Sequence, residues 1–163
     1  MKQEIEDLIY DEARLLDEGR FDQWLSLYSA HAHYWVPIDE ASDPLKDSSI
    51  IFDNHERLAM RVHQLMHESR VAQSPPSHML RQLSSPRVKI ADGHAPQAAA
   101  EWSQILMESR GGDWRQSGVG ELRLYPARCS ASFCREDGSW RFSSKKIVLL
   151  NRHLPLEGLS FII

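Results

Sequence analysis

"LRLYPARCSASFC", residues 122–134, is the stretch on which the fold turns. It alternates like a β-strand, but its apolar residues change parity partway. Leu122 and Leu124 point one way, and Ala127, Cys129, Ala131 and Phe133 point the other. Successive side chains of a strand face opposite sides of the sheet. One extra residue near Pro126 would put both sets on one face, and a bulge of that kind bends its strand. The parity switch therefore predicts a strongly bent sheet.

The surroundings of this stretch fit a β-meander. Asp92–Gly93, Gly111–Gly112 and Asp137–Gly138 are pairs that supply the positive φ angles of tight hairpins. They divide the second half of the chain into segments 78–91, 96–110, 114–136 and 139–151. Each is longer than the ~5–6 residues of an ordinary strand, and Pro86, Pro96 and Pro126 sit where long strands would be interrupted.

The first half has the helical period. Ile5, Leu8, Ile9, Ala13 and Leu16 form one apolar stripe, and Gly19 stops that helix. A short second helix carries Phe21, Trp24, Leu25 and Tyr28, and a strand over 31–36 ends at Pro37. Residues 39–49 are polar and read as a loop. Ile50, Ile51 and Phe52 then lead into a third helix, with Asp53 or Asn54 as its N-cap. Its buried stripe is Leu58, Val62, Leu65, Met66 and Ser69, and "VAQSPPS" breaks it. Helices first and strands later predict an α+β domain over 1–163, its helices packed in the hollow of a strongly curved antiparallel sheet. The tail, "LPLEGLSFII", is apolar regardless of parity at Leu159, Phe161, Ile162 and Ile163. It either folds back into its own core or is covered by a neighbouring chain.

Composition excludes several classes of function. The net charge of −4 argues against nucleic-acid binding, which needs a basic face. No apolar run is long enough to cross a bilayer. The acidic, periodic start is not a signal-peptide pattern, and Cys129 and Cys134 make no disulfide framework, so the expected location is the cytoplasm. Of 19 basic residues 14 are Arg, a bias toward protein interfaces.

Four groups could carry chemistry. His63 and His67 have metal-ligand spacing on a helix, but the pattern H-E-x-x-H fails and the wheel puts His67 opposite the apolar stripe, so a solvated face is expected. His31 and His33 share a strand face with Trp35, while Ala32, Tyr34 and Val36 form the inner face; no carboxylate at recognisable spacing completes a site. Cys129 and Cys134 lack the spacing and partners of a zinc or iron–sulfur centre and read as inert core thiols. Tyr34, Asp53, His78 and Trp102 could line an apolar cone and do acid–base chemistry, as in a stand-alone dehydratase or isomerase, or could bind a ligand without turnover.

Residues 12–37, "EARLLDEGRFDQWLSLYSAHAHYWVP", resemble the opening of the small (β) subunit of aromatic-ring-hydroxylating dioxygenases, with its "LLDE", "F-x-x-W-L-x-L" and "Y-x-V-P". "PPSHMLRQLSSPRVKI" (75–90), "SQILMESR" (103–110), "GSWRFSSKKIVLLN" (138–151) and the final "LSFII" are similar to its later segments. His78, Met79 and Leu80 depart from the family's Arg-Thr-Arg, and Pro86 from its common Val. The resemblance implies a cone-shaped, nuclear-transport-factor-2-like (cystatin-like) roll. It also implies a large (α) subunit as partner, commonly three of each, with contacts between β subunits. The large subunit would hold the Rieske iron–sulfur cluster and the mononuclear iron. This chain would be structural, with no catalytic, cofactor-binding or metal residues of its own.

Overall fold

Helix α1 (Lys2–Asp17) forms because Ile5, Ile9, Ala13 and Leu16 recur at helical spacing and are buried. Gly19 ends it with φ of 69°, its N–H donating to Leu16 O and that of Arg20 to Leu15 O. This is the paired C-terminal cap that a residue without Cβ allows. The computed structural model describes residues 1–67, 76–91, 97–112, 115, 119–154, 156 and 161–163. Ser69, Asp92, Gly93, Pro96, Leu159 and most of "VAQSPPS" lie outside the described residues.

Helix α2 (Phe21–Leu25) is one turn. Tyr28, expected within it, instead opens strand β1 (Tyr28–Pro37) and pairs with Phe142. Both positions send the ring inward, so helical spacing from Trp24 could not tell them apart. Residues 50–52 belong to a strand, β2 (Ser49–Asn54), too short to announce itself by alternation. Asn54 caps helix α3 (His55–His67), its Oδ1 accepting from Arg57 N–H at 2.9 Å.

The remaining strands are β3 (His78–Leu83), β4 (Arg87–Ala91), β5 (Gln97–Ser109), β6 (Leu122–Glu136) and β7 (Ser139–Leu149). The expected segment 78–91 is thus two strands, both paired to β5 and parted at Ser84–Pro86. The β6–β7 hairpin turns on Asp137 and Gly138 at φ 50° and 81°, as their pairing predicts. The strand order is β2-β1-β7-β6-β5-β3, antiparallel except where β1 runs parallel to β7. Helices α1 and α3 cover one face: α1 meets β3, β4 and β7, and α3 meets β1 and β2.

This sheet is open, with β2 and β3 at the ends of its path. It is not strongly curled, which overturns the expectation of a strongly curved, cone-shaped roll with helices in its hollow. The reason lies in the deciding stretch. Residues 97–109 of β5 pair with 134–122 of β6 without any register shift, and Pro126 faces Ile105 with no extra residue. No bulge reunites the two parities, so Leu122 and Leu124 stay on the uncovered face, 64% and 52% exposed. Pro126 is tolerated because its carbonyl accepts from Leu150 N–H, just past the end of β7. A strand residue's N–H and C=O point to the same side, so the missing N–H lies on the side of Leu150 and costs β6 no hydrogen bond to β5.

Candidate functional site on the helix side of the sheet

The helix side holds a buried ion pair. Lys145 Nζ donates to Glu12 Oε1 and Oε2 at 2.8 and 2.9 Å, with the two residues 0% and 1% exposed. Trp24 Nε1–H and Tyr28 O–H also donate to Glu12 Oε1, each at 2.9 Å. Lys145 Nζ lies 5.8 Å from the ring centres of both Tyr34 and Trp102. Burial opposes ionisation of Glu12, but the charge and hydrogen bonds of Lys145, with the Trp24 indole, hold its carboxyl below the ordinary value. Burial and the Glu12 charge push the Tyr28 hydroxyl well above its ordinary range. A buried pair with its oxygens already satisfied is a lock; neither partner is free to exchange a proton with a substrate.

Sequence reading missed this pair, yet both halves left a signal. Glu12 falls on the stripe of Ile5, Ile9 and Leu16, where a carboxylate is out of place. Lys145 shares the inward parity of Ile147 and Leu149.

A second constellation holds residues 161–163. Arg81 Nη1 pairs with Asp17 Oδ1 at 2.5 Å, and Arg81 N–H donates to Asp17 Oδ2 at 2.8 Å. Arg81 Nη2 donates to the Ile162 carbonyl, and the Tyr34 hydroxyl to that of Ile163. Phe161 meets Tyr125 edge to face at 5.5 Å, and all three residues of the segment are buried. The tail's apolar end therefore folds back into its own core.

The four residues expected to converge do not make an acid–base site. Tyr34 is engaged with Ile163, and Trp102 lies beside Lys145. Asp53 accepts from Arg61 Nε and Nη2 at 2.9 and 2.7 Å. His78 is exposed on β3. Ala32, Tyr34 and Val36 are buried as the inner face of β1, while His31 and His33 are exposed. His33 stacks on Phe52, Trp35 donates to Ser49 Oγ, and Lys146 sits 4.5 Å from the Trp35 ring centre. His63 and His67 lie 4.8 Å apart, ring to ring, on the exposed side of α3.

The donor set does not fit an iron centre. Cys129 is buried, which pushes its thiol up to about 12 and disfavours the thiolate that a metal needs. Cys134 is half-buried, and burial raises its thiol too. No group of three or more His, Cys, Asp or Glu side chains gathers among the described residues. No helix among them is long and apolar enough to cross a membrane.

Comparison with known proteins places this geometry. The family model described as "Ring hydroxylating beta subunit" matches residues 11–155. The small oxygenase component of the p-cumate 2,3-dioxygenase system of Pseudomonas putida is 30% identical over 139 residues, 78% of this chain and 77% of that one. Among solved structures, the beta subunit of benzoate 1,2-dioxygenase from Burkholderia mallei superposes with a TM-score of 0.69 at 24% identity, covering 97% of this chain and 95% of that one. An NTF2-like protein with a cystatin-like fold from Novosphingobium aromaticivorans gives 0.59 at 16% identity, covering 92% and 82%. At those identities the structures speak for the fold alone, an α+β arrangement of the NTF2-like, cystatin-like kind.

Proposed function

The chain belongs to the ring hydroxylating beta subunit family, and from that premise we propose that it is the structural small subunit of a multicomponent aromatic-ring dioxygenase. It supports a large oxygenase subunit that carries the Rieske cluster and the mononuclear iron, in the breakdown of aromatic compounds. No residue of this chain is catalytic, binds a cofactor or holds a metal. The assembly contains three chains of each kind, with contacts between the small subunits, and works in the cytoplasm. Residues 1–163 act in it as one domain.

The observation that carries this reading is the state of the helix side. The helix-side interior, where an acid–base site was expected, is filled by the Glu12–Lys145 lock and by residues 161–163. The uncovered face adds support. Leu80, Ile105, Leu122 and Leu124 are exposed there on three adjacent strands, and contiguous exposed apolar surface marks interaction sites.

The test is purification of the chain alone and with its large subunit, followed by size measurement and iron assay. Alone, the chain contains no iron and turns over no aromatic substrate. Together, the two chains elute as one iron-containing particle. Stoichiometric iron in the chain purified by itself would overturn the proposal.

A further inference from the structure

The uncovered face carries a trough whose charge is opposite to that of the chain as a whole. Strand pairing sets Trp35, Lys146, Ser130, Glu101 and Arg87 in one row across β1, β7, β6, β5 and β4. The next row runs from Ser144 through Ser132 and Ala99 to Lys89. Two clefts of about 770 and 540 Å³ open along these rows and share Lys146, Ser130 and Glu101 in their walls. The serines and Ala99 are short, so the middle of the rows is a floor. Arg87, Lys89, Lys146 and the adjacent Arg128 set four cations against the one carboxylate of Glu101, in a chain of net charge −4. Among the described residues, no hydrogen bond or ion pair engages the guanidinium groups of Arg87 and Arg128.

The chain carries the complementary surface itself. Glu4, Asp7, Asp11, Arg14 and Glu18 recur at spacings of three and four, and all are exposed, so they form one stripe along the outer side of α1 and its cap. Arg14 is shared between Asp11 and Glu18, which leaves the stripe an excess of carboxylates. The stripe is about 21 Å long at 1.5 Å per residue, and the trough from β1 to β4 is about 19 Å across at ~4.8 Å per strand. Within one chain the two cannot meet, because α1 packs on the covered side of the sheet. Two troughs face to face would set cations against cations, a juxtaposition that costs several kcal/mol.

We propose that the trough is the seat of helix α1 of a second copy, each small subunit giving its helix to the next. A head-to-tail contact of this kind closes into a ring. That the ring has three members rests on the proposed assembly, whereas the two surfaces are read from this chain alone.

The experiment uses a carbodiimide, which joins a carboxylate to an amine in contact with it. It is applied to the full chain alone, mixed from light- and heavy-isotope copies, and to the particle formed with the large subunit. The expected products join Asp7 or Asp11 of one copy to Lys146 or Lys89 of another. Sedimentation of the chain alone gives the second readout. Arg87→Glu with Arg128→Glu weakens self-association about tenfold or more, and so does Asp7→Lys with Asp11→Lys. All four substitutions in one chain restore it, because the two surfaces are again opposite in charge; damage to the fold would not be repaired in this way. Self-association that is indifferent to both pairs of reversals overturns the inference. So do Lys146 and Lys89 that couple only to the large subunit, or a chain that stays monomeric alone and shows no such product in the particle. Iron in the particle judges the dioxygenase reading separately: a chain that finds no iron-bearing partner but forms these products fails that reading and keeps this one.

Discussion

Lys145 and Lys146 are neighbours in sequence and opposites in the fold. Lys145 points to the helix-covered face, is fully buried and is bound to Glu12. Lys146 points to the uncovered face, half-exposed, where it lies over Trp35 and donates to the Glu40 carbonyl. One step along a strand changes the solvent, and with it what a charge costs. In water an ammonium group needs no partner; inside the protein it needs a carboxylate with excellent geometry. The two faces follow the same division, with aromatic rings and locked polar groups on one side and exposed Leu122 and Leu124 on the other.

The sharpest way to break this comparison is to shorten each lysine in turn. Lys145→Met leaves Glu12 charged, buried and without its cation, and costs about 3–5 kcal/mol in denaturant unfolding. Lys146→Met loses one partly exposed cation–π contact and an exposed hydrogen bond to the Glu40 carbonyl, and costs about 0.5–1.5 kcal/mol. Equal losses would mean that the faces do not differ as described. Combining Glu12→Leu with Lys145→Met recovers only part of the larger loss: the apolar pair needs no counter-charge, but the Trp24 N–H and Tyr28 O–H are left buried without their acceptor.

Trp24→Phe keeps an aromatic ring, though a smaller one, and removes one donor to the buried carboxylate. The expected cost is about 1.5–3 kcal/mol, read from the shift in the urea midpoint. Acid acts on the same group. The Glu12 carboxyl sits below its ordinary 4.5 in the folded chain. Its contribution to stability is therefore complete above about 4.5 and is lost as pH falls through the lower folded value. Urea midpoints measured down the acid range should show this loss, and the Glu12→Leu, Lys145→Met double variant should lack it. On the uncovered face, Leu124→Ser should move the stability of the isolated chain by no more than about 0.5 kcal/mol. A loss of several kcal/mol there would reveal packing that the exposure of Leu124 excludes.

Local signals in the chain were read correctly where a backbone need was attached to a residue type. Gly19 ended α1, Asn54 capped α3 and Asp137–Gly138 turned a hairpin, because positive φ and capping select few side chains. The inner face of β1 was legible from parity alone. The family was legible too, since its segments recur in order along the chain. Reading failed where two structures satisfy the same local pattern. A parity switch at Pro126 suits a bulge or a strand with two leucines left outside, and β6 takes the second. The tail's apolar residues suit self-burial or cover by a neighbour, and residues 161–163 are buried in their own chain.

The amino-acid sequence by itself determined the periodicities, the caps and turns, and so the order of helices and strands, because these depend on residues a few positions apart. Only the tertiary structure decided that the sheet stays open, that Glu12 reaches Lys145 across 133 positions, and that Arg81 and Tyr34 close on residues 161–163. Such long-range pairings are chosen by the whole core at once: a buried charge or carbonyl must find its partner wherever packing brings one near, and no local pattern records where that will be.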